Sequence, residues 1–233
     1  IMVYEGYGLT ETSPIATANY PGNRKIGSVG RAIPGVTIKI DTAVTGDPVN
    51  GEIVIYGPNI MQGYHNRPEE NAAVLMDDGG FRSGDMGRLD DDGYLFITGR
   101  IKEQYKLENG KYVVPAPLEE KLKLSPFIAN VMIHGHNKPH NVAVVVPDPD
   151  ALKAWAAENG VDAAQASSDP KVKQLLQGEL DKFSKDFKGF ERPKNFAVIT
   201  EDFSTENGML TPTLKLKRRN VLERYGDLIE GLY

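Results

Sequence analysis

The run GEIVIYG, Gly51–Gly57, is a short and nearly continuous apolar stretch closed at each end by glycine. A run of that kind reads as a buried strand, so this part of the chain must contain a sheet that other segments cover. Its neighbours agree. Residues 22–63 are rich in glycine and β-branched side chains, and VTIKID at Val36–Asp41 alternates apolar and polar as a half-buried strand does. PEENAAVLM begins with Pro68, suited to a first helical position, followed by Glu69 and Glu70, which a helix dipole favours in the first turn. GDMGRLDDDGYLFITGR then reads as a hairpin turning at Asp91-Asp92-Gly93.

The character changes after Gly99. Residues 1–100 hold 8 basic and 13 acidic side chains, residues 101–233 hold 19 of each, and strands now alternate with helices. IKEQYKL and GKYVVP, joined by Glu108-Asn109-Gly110, form a second expected hairpin, PLEEKLKL a short helix, and IANVMIHG and NVAVVVP two strands about a polar loop. Asp169 is placed to cap a helix before Pro170, with Val172, Leu175, Leu176, Phe183 and Phe187 on one face. A last helix carries Val221, Leu222, Tyr225, Ile229 and Leu232, interrupted by Gly226. Trp155, spaced with Leu152 and Ala156 on a helix, is expected in the core. The fold class is α+β.

With 233 residues there is room for one large domain or two small ones. A net charge of −5 gives no long-range attraction to nucleic acid, and the absence of cysteine excludes disulfides and thiolate chemistry. No apolar run approaches the length of a membrane span, and no secretory signal opens the chain. Ile1 in place of an initiator Met reads as a piece of a longer chain.

Four short stretches could carry chemistry. In YGLTE, Tyr7–Glu11, Gly8 permits close backbone approach, Thr10 offers a hydroxyl, Glu11 a hard oxygen suited to Mg²⁺, and Tyr7 a flat face for a base. Read by itself, the stretch is more simply a surface turn with a helix cap. In Ser83-Gly84-Asp85 a carboxylate beside glycine can accept from both hydroxyls of a ribose, although Gly-Asp is also an ordinary turn. Gly99-Arg100-Ile101-Lys102 sets an arginine to fork onto ribose or phosphate, or else forms a solvated basic face. Thr211–Arg219 puts four basic residues in its last five positions. Cations at a helix start oppose its dipole, which hints at a functional reason for the charges or at an anion nearby. The histidines His134, His136 and His140 resemble a metal tract but lack an acidic partner, and Asp90–Asp92 reads as a turn rather than a Ca²⁺ loop.

Each motif is weak alone, but their order is specific. YGLTE, GYHNRPEE, SGDMGRLDDDGYLFITGRIKE, NGKYVVP and LTPTLKLKRR together resemble the C-terminal portion of an adenylate-forming (AMP-binding) acyl-CoA synthetase, and most resemble the long-chain fatty acid:CoA ligases. Many relatives carry Ser-Gly-Lys where this chain has Thr213-Leu214-Lys215. The resemblance implies residues 1–99 as the β-rich last subdomain of the large AMP-binding domain, 100–102 as a hinge and 103–233 as a small mobile α+β domain of strands packed with helices. It implies the reaction of ATP, fatty acid and CoA to acyl-CoA, AMP and pyrophosphate through an acyl-adenylate, with Mg²⁺.

In that scheme Tyr7 stacks on adenine with Gly8 beside it at the cofactor, and Thr10 and Glu11 serve the phosphates and the metal. Asp85 holds the ribose with Arg100 beside it, and Lys102 takes the hinge position. Lys215 bridges the carboxylate and the α-phosphate, and Gly110 lines the pantetheine path. The family's phosphate loop and most of its acyl tunnel belong to sequence outside these residues, so the expected partners include the missing N-terminal part, and the chain is expected to be inactive alone. A cytoplasmic location is expected, with peripheral contact at the inner membrane face left open. Aryl-CoA ligases, amino-acid-activating domains and a non-catalytic nucleotide- or CoA-binding module remain the alternatives.

Overall fold

The computed structural model describes residues 2–45, 47–162 and 169–233. The chain divides into two compact units, Ile1–Glu103 and Gln104–Tyr233, each with its own core.

The first unit opens with three two-residue strands, β1 (Gly6–Tyr7), β2 (Thr17–Ala18) and β3 (Arg31–Ala32), paired antiparallel in that order. A 3₁₀ turn, Thr10–Thr12, follows β1. The Leu9 N–H donates to Thr12 Oγ1 at 2.8 Å, so the capping composition read in TETS does form a cap. Next come β4 (Thr37–Asp41), β5 (Gly51–Tyr56), helix α1 (Pro68–Val74), β6 (Phe81–Leu89) and β7 (Leu95–Arg100). The four strands form one antiparallel sheet in chain order, β4-β5-β6-β7. Ile53 and Ile55 of β5 are fully buried with Phe81 and Leu95, which is the burial that the GEIVIYG run requires. The turn between β6 and β7 is fastened by Lys25, whose ammonium pairs with Asp90 at 2.5 Å and Asp92 at 2.9 Å.

The second unit begins with a hairpin of two-residue strands, β8 (Tyr105–Lys106) and β9 (Tyr112–Val113), shorter than the sequence suggests because Ile101–Glu103 forms a 3₁₀ turn instead. Helix α2 (Pro115–Leu122), strands β10 (Ile128–His134) and β11 (Asn141–Pro147), helices α3 (Pro149–Asn159) and α4 (Pro170–Phe183), strand β12 (Pro193–Val198) and helix α5 (Arg218–Glu230) complete it. The sheet order is β10-β11-β12, with β10 antiparallel and β12 parallel to β11. Every residue of β11 is buried, because helices cover both faces. Ala143 and Val145 face a core shared with Leu118 and Leu122 of α2, Leu152 of α3 and Val172, Leu176 and Leu180 of α4. Val142, Val144 and Val146 face a second core with Met209, Leu210, Val221 and Ile229.

Several expectations shift in detail. Asp169 does cap α4, accepting from Lys171 N–H at 2.7 Å. Phe187 lies beyond that helix, and both Phe187 and Phe183 are only half-buried at the edge of its core. Trp155 is likewise half-buried rather than central. The irregularity in α5 falls on Tyr225 (φ −116°, ψ 15°), one residue before Gly226. The basic stretch is not helical until Arg218. Before it, the chain closes a small loop by a bridge between Leu210 and Leu216. Among the described residues no helix is long and apolar enough to cross a membrane.

Candidate active site

Asp85 sits on β6 where the strand departs from regular pairing. Met86 pairs with Glu52 and Arg82 with Val54, so Ser83, Gly84 and Asp85 all face the single residue Ile53 of β5. Gly84 has φ +72°, a left-handed conformation that glycine adopts without strain, as bulges require. On its other side Asp85 pairs in register with Arg100, at the end of β7.

The Asp85 residue is 7% exposed, and both carboxylate oxygens are engaged. Oδ2 accepts from the Tyr7 hydroxyl at 2.8 Å, and Oδ1 lies 3.1 Å from Arg100 Nε. Each oxygen keeps a lone pair, so the group can still accept hydrogen bonds from two adjacent hydroxyls of a ligand. Burial, and after it the neighbouring Asp85 charge, push the Tyr7 phenol far above its ordinary value, so Tyr7 remains a hydrogen-bond donor.

Two hollows meet at this carboxylate. One, of about 500 Å³, is lined by Glu11, Tyr64, Ser83, Asp85, Arg100 and Lys102 among others. The other is open to solvent and is lined by Tyr7, Gly8, Thr10, Glu11, Asp85 and Arg100 among others. The first volume falls in the range of roughly 300–1,000 Å³ usual for small-molecule sites. The structure therefore gathers Tyr7, Gly8, Thr10, Glu11, Asp85 and Arg100 from β1, the Thr10–Thr12 turn, β6 and β7 around one space.

Gly8 has a steric role here. A Cβ built on it would fall 1.9 Å from the Pro14 carbonyl oxygen, so the loop Tyr7–Ile15 folds onto itself only with glycine at this position. Glu11 is half-buried, and its Oε1 accepts from the Tyr64 hydroxyl at 2.6 Å. That hydrogen bond, more than burial, pushes the Tyr64 phenol up to about 12. Glu11 Oε2 remains a hard oxygen ligand. A single carboxylate fits Mg²⁺ that arrives with phosphates, since this ion keeps most of its ligands as water and phosphate oxygen. Among the described residues no group of three or more His, Asp or Glu is placed to hold an ion by itself.

Of the remaining candidates, Lys102 borders the first hollow and Gly110 and Lys215 belong to the second unit. Lys102 is exposed on the Ile101–Glu103 turn, one residue before the end of the first unit. Gly110 is exposed in the turn between β8 and β9, with its N–H on the Leu107 carbonyl at 2.9 Å. Lys215 is exposed at the tip of the loop before α5, after Leu214, which is 72% exposed with φ +59°. The basic cluster around it is not uniform. Arg218 turns inward, half-buried, and pairs with Glu119, so for this residue the anion beside the helix start is a carboxylate of the chain itself. Among the described residues the three histidines belong to no group placed to hold an ion: the rings of His134 and His136 lie near Tyr105, at 6.2 and 6.5 Å, and that of His140 lies 5.4 Å from Tyr233. Glu52 and Arg82, which border the first hollow or the bulge, carry no motif and were not singled out in the sequence. Only the two extra residues of the bulge make them relevant, and a bulge has no local signature beyond Gly84.

In this α+β chain a carboxylate, a tyrosine and an arginine meet at a hollow of the size that small-molecule sites have, which makes it the candidate ligand site. Comparison with known proteins gives the chain's family. Residues 1–65 match the AMP-binding enzyme family, and residues 102–233 match the AMP-binding enzyme C-terminal domain. The chain belongs to the AMP-binding enzyme family. It is 33% identical over 237 residues to the long-chain-fatty-acid–CoA ligase FadD15 of Mycobacterium bovis, covering 100% of this chain and 38% of that protein. It is 34% identical over 243 residues to the human long-chain-fatty-acid–CoA ligase 6, covering 99% and 34%. Among solved structures it is similar to the A domain of carboxylic acid reductase from Segniliparus rugosus, in complex with AMP and a co-purified carboxylic acid. That likeness has a TM-score of 0.79 at 28% identity and covers 99% of this chain and 35% of the other. The chain thus spans a little over a third of the length of the curated relatives it matches.

Proposed function

We propose that this chain carries the ribose-binding carboxylate and the adenylation lysine of a long-chain fatty acid:CoA ligase that forms AMP. The observation that carries the reading is Asp85, held between Tyr7 and Arg100 and facing a hollow bordered by Glu11. The names of the relatives support the acyl-CoA ligase class and the long-chain substrate.

In the first step a carboxylate oxygen of the acid bonds to the α-phosphorus of ATP, and the bond to the β-phosphate oxygen breaks to release pyrophosphate. In the second the CoA thiolate attacks the acyl carbon and AMP leaves. The first step brings two anions together, and fixed positive charge in a water-poor site offsets their repulsion most strongly in the transition state. Lys215 supplies that charge by bridging acid and α-phosphate. Asp85 orients the nucleotide through the ribose, with Arg100 keeping the carboxylate in place, and the Tyr7 ring packs against adenine. Glu11 is the residue that would hold Mg²⁺, and the ion would supply charge neutralisation on the phosphates. Lys102 serves as the hinge residue, and Gly110 gives the pantetheine arm close passage along the backbone.

The test is ATP–pyrophosphate exchange with fatty acids from short to long, run on the natural protein and on these 233 residues alone. Exchange by the natural protein that is fastest with long acids and lost in Asp85→Ala is the expected result, with no exchange by the 233 residues alone. CoA-dependent release of AMP then separates a CoA ligase from other adenylate-forming enzymes. Exchange that prefers aryl or amino acids would overturn the substrate assignment.

A further inference from the structure

On its β5 side the bulge that presents Asp85 is held by side chains in place of the strand ladder. Three consecutive residues, Ser83, Gly84 and Asp85, oppose Ile53 alone, which takes ladder groups out of register with β5. Three of these groups meet side chains. Ser83 Oγ donates to the Ile53 carbonyl at 2.7 Å and accepts from the Asp85 N–H at 3.1 Å. The Gly84 N–H donates to Glu52 Oε1 at 3.1 Å.

Glu52 is itself buried, 7% exposed, and would be costly there without a partner. Arg82 provides one. Its Nη1 donates to Glu52 Oε2 at 2.5 Å and its Nη2 to Asp41 Oδ2 at 2.9 Å. Asp41 and Glu52 are directly opposed in the β4–β5 register, an arrangement of like charges that is unfavourable unless a cation lies on both. The sequence tolerates two neighbouring carboxylates and a buried charge at this point. The result is a fixed acceptor for one N–H, that of the residue preceding Asp85.

We propose that Glu52 is a positioning residue for nucleotide binding: by anchoring the Gly84 N–H it fixes the bulge, and the bulge aims the Asp85 carboxylate at the ligand's hydroxyls. Arg82 and Asp41 act one step further out by holding Glu52. The inference rests on the reading of Asp85 as the ribose-binding group and adds the residue that makes its aim possible.

The experiment compares ATP with 2′-deoxy-ATP in the natural protein bearing Glu52→Ala, Asp85→Ala and both together. Loss of one anchoring hydrogen bond to a charged group predicts that Glu52→Ala raises KM for ATP about tenfold. It should also lower the preference for ATP over the deoxy analogue to the level of Asp85→Ala, while KM for the fatty acid stays unchanged. The double variant should show no further loss of preference. Ser83→Ala, which removes the other bulge contact without disturbing a charge, should reduce the same preference and serves if Glu52→Ala does not fold. Equal loss with both nucleotides in Glu52→Ala and Ser83→Ala, with the preference kept, would overturn the positioning role while leaving Asp85 in place. A preference retained in Asp85→Ala would overturn the ribose reading itself, and this inference with it.

Discussion

The guanidinium of Arg218 forks onto the carboxylate of Glu119, across 99 positions of sequence. Nη1 meets Oε1 at 2.7 Å and Nη2 meets Oε2, while Nη1 also reaches the Ile133 carbonyl at 3.3 Å. Glu119 Oε1 accepts from the Ile133 N–H at 2.6 Å. The pair therefore joins α2, β10 and the first residue of α5, three positions after Lys215. The Glu119 carboxylate also answers the dipole argument, since it places a negative charge beside the N-terminus of α5.

Removing the arginine strands the buried Glu119 carboxylate. Arg218→Ala should destabilise the chain by about 3–5 kcal/mol. Replacing both members by apolar residues, Glu119→Leu with Arg218→Met, should cost much less. Urea denaturation of the three proteins checks this, and equal loss in the single and double variants would count against it.

Lys215 stands exposed, with no ion pair among those found in the described residues, so its ammonium is available to a substrate. Lys215→Ala in the natural protein should slow adenylation by about 10²-fold or more, the usual scale for losing a fixed group that stabilises developing charge. Thioester formation from preformed acyl-adenylate should change far less. Pyrophosphate release and thioester formation, measured separately, decide the matter.

Gly8→Ala adds a methyl group where a Pro14 carbonyl oxygen lies 1.9 Å away. Backbone cannot yield there as a flexible side chain could, so the loop carrying Thr10 and Glu11 must move. We expect nucleotide affinity to fall by at least tenfold, about 1.4 kcal/mol, with the second unit unaffected. Titration with AMP, together with amide hydrogen exchange, would show both effects.

Tyr64 ties stability to alkaline pH. Its phenol is raised from an ordinary value near 10 to about 12 by the hydrogen bond to Glu11. The folded chain thus holds a proton that the unfolded chain releases. The stabilisation is complete below pH 10 and disappears as pH rises towards 12. Tyr64→Phe should make the decline of the urea midpoint across this interval shallower. A remaining slope is expected, because Tyr7, Tyr105, Tyr225 and Tyr233 are all shifted the same way, chiefly by burial. An unchanged slope in Tyr64→Phe would contradict the assignment.

The sequence disclosed those parts of the fold that local physics decides. The apolar run of β5, the Asp91-Asp92-Gly93 turn, the proline and glutamates that open α1 and the Asp169 cap all depend on residues a few positions apart. Strands β1, β2 and β3 were not legible, because two residues are too few to show alternation. Nor was β12, whose PKNFAV is not a strand pattern until β11 supplies its parallel neighbour. For the candidate site, the motifs pointed to Tyr7, Glu11, Asp85 and Arg100, and the structure brings them together. Glu52, Tyr64 and Glu119 escaped notice, since each acts on a partner at least 14 positions away.

Strand β11 divides the second unit's interior in two. Its even-numbered valines face the side that holds Met209, Leu210 and Leu216, the footing of the Lys215 loop, while Ala143 and Val145 face α2, α3 and α4. Besides the strand itself, the Glu119–Arg218 pair links the two sides, since it ties α2 to α5. Residues under the Lys215 loop can therefore drift in volume while the core around α2, α3 and α4 keeps its own packing, provided that this pair is kept.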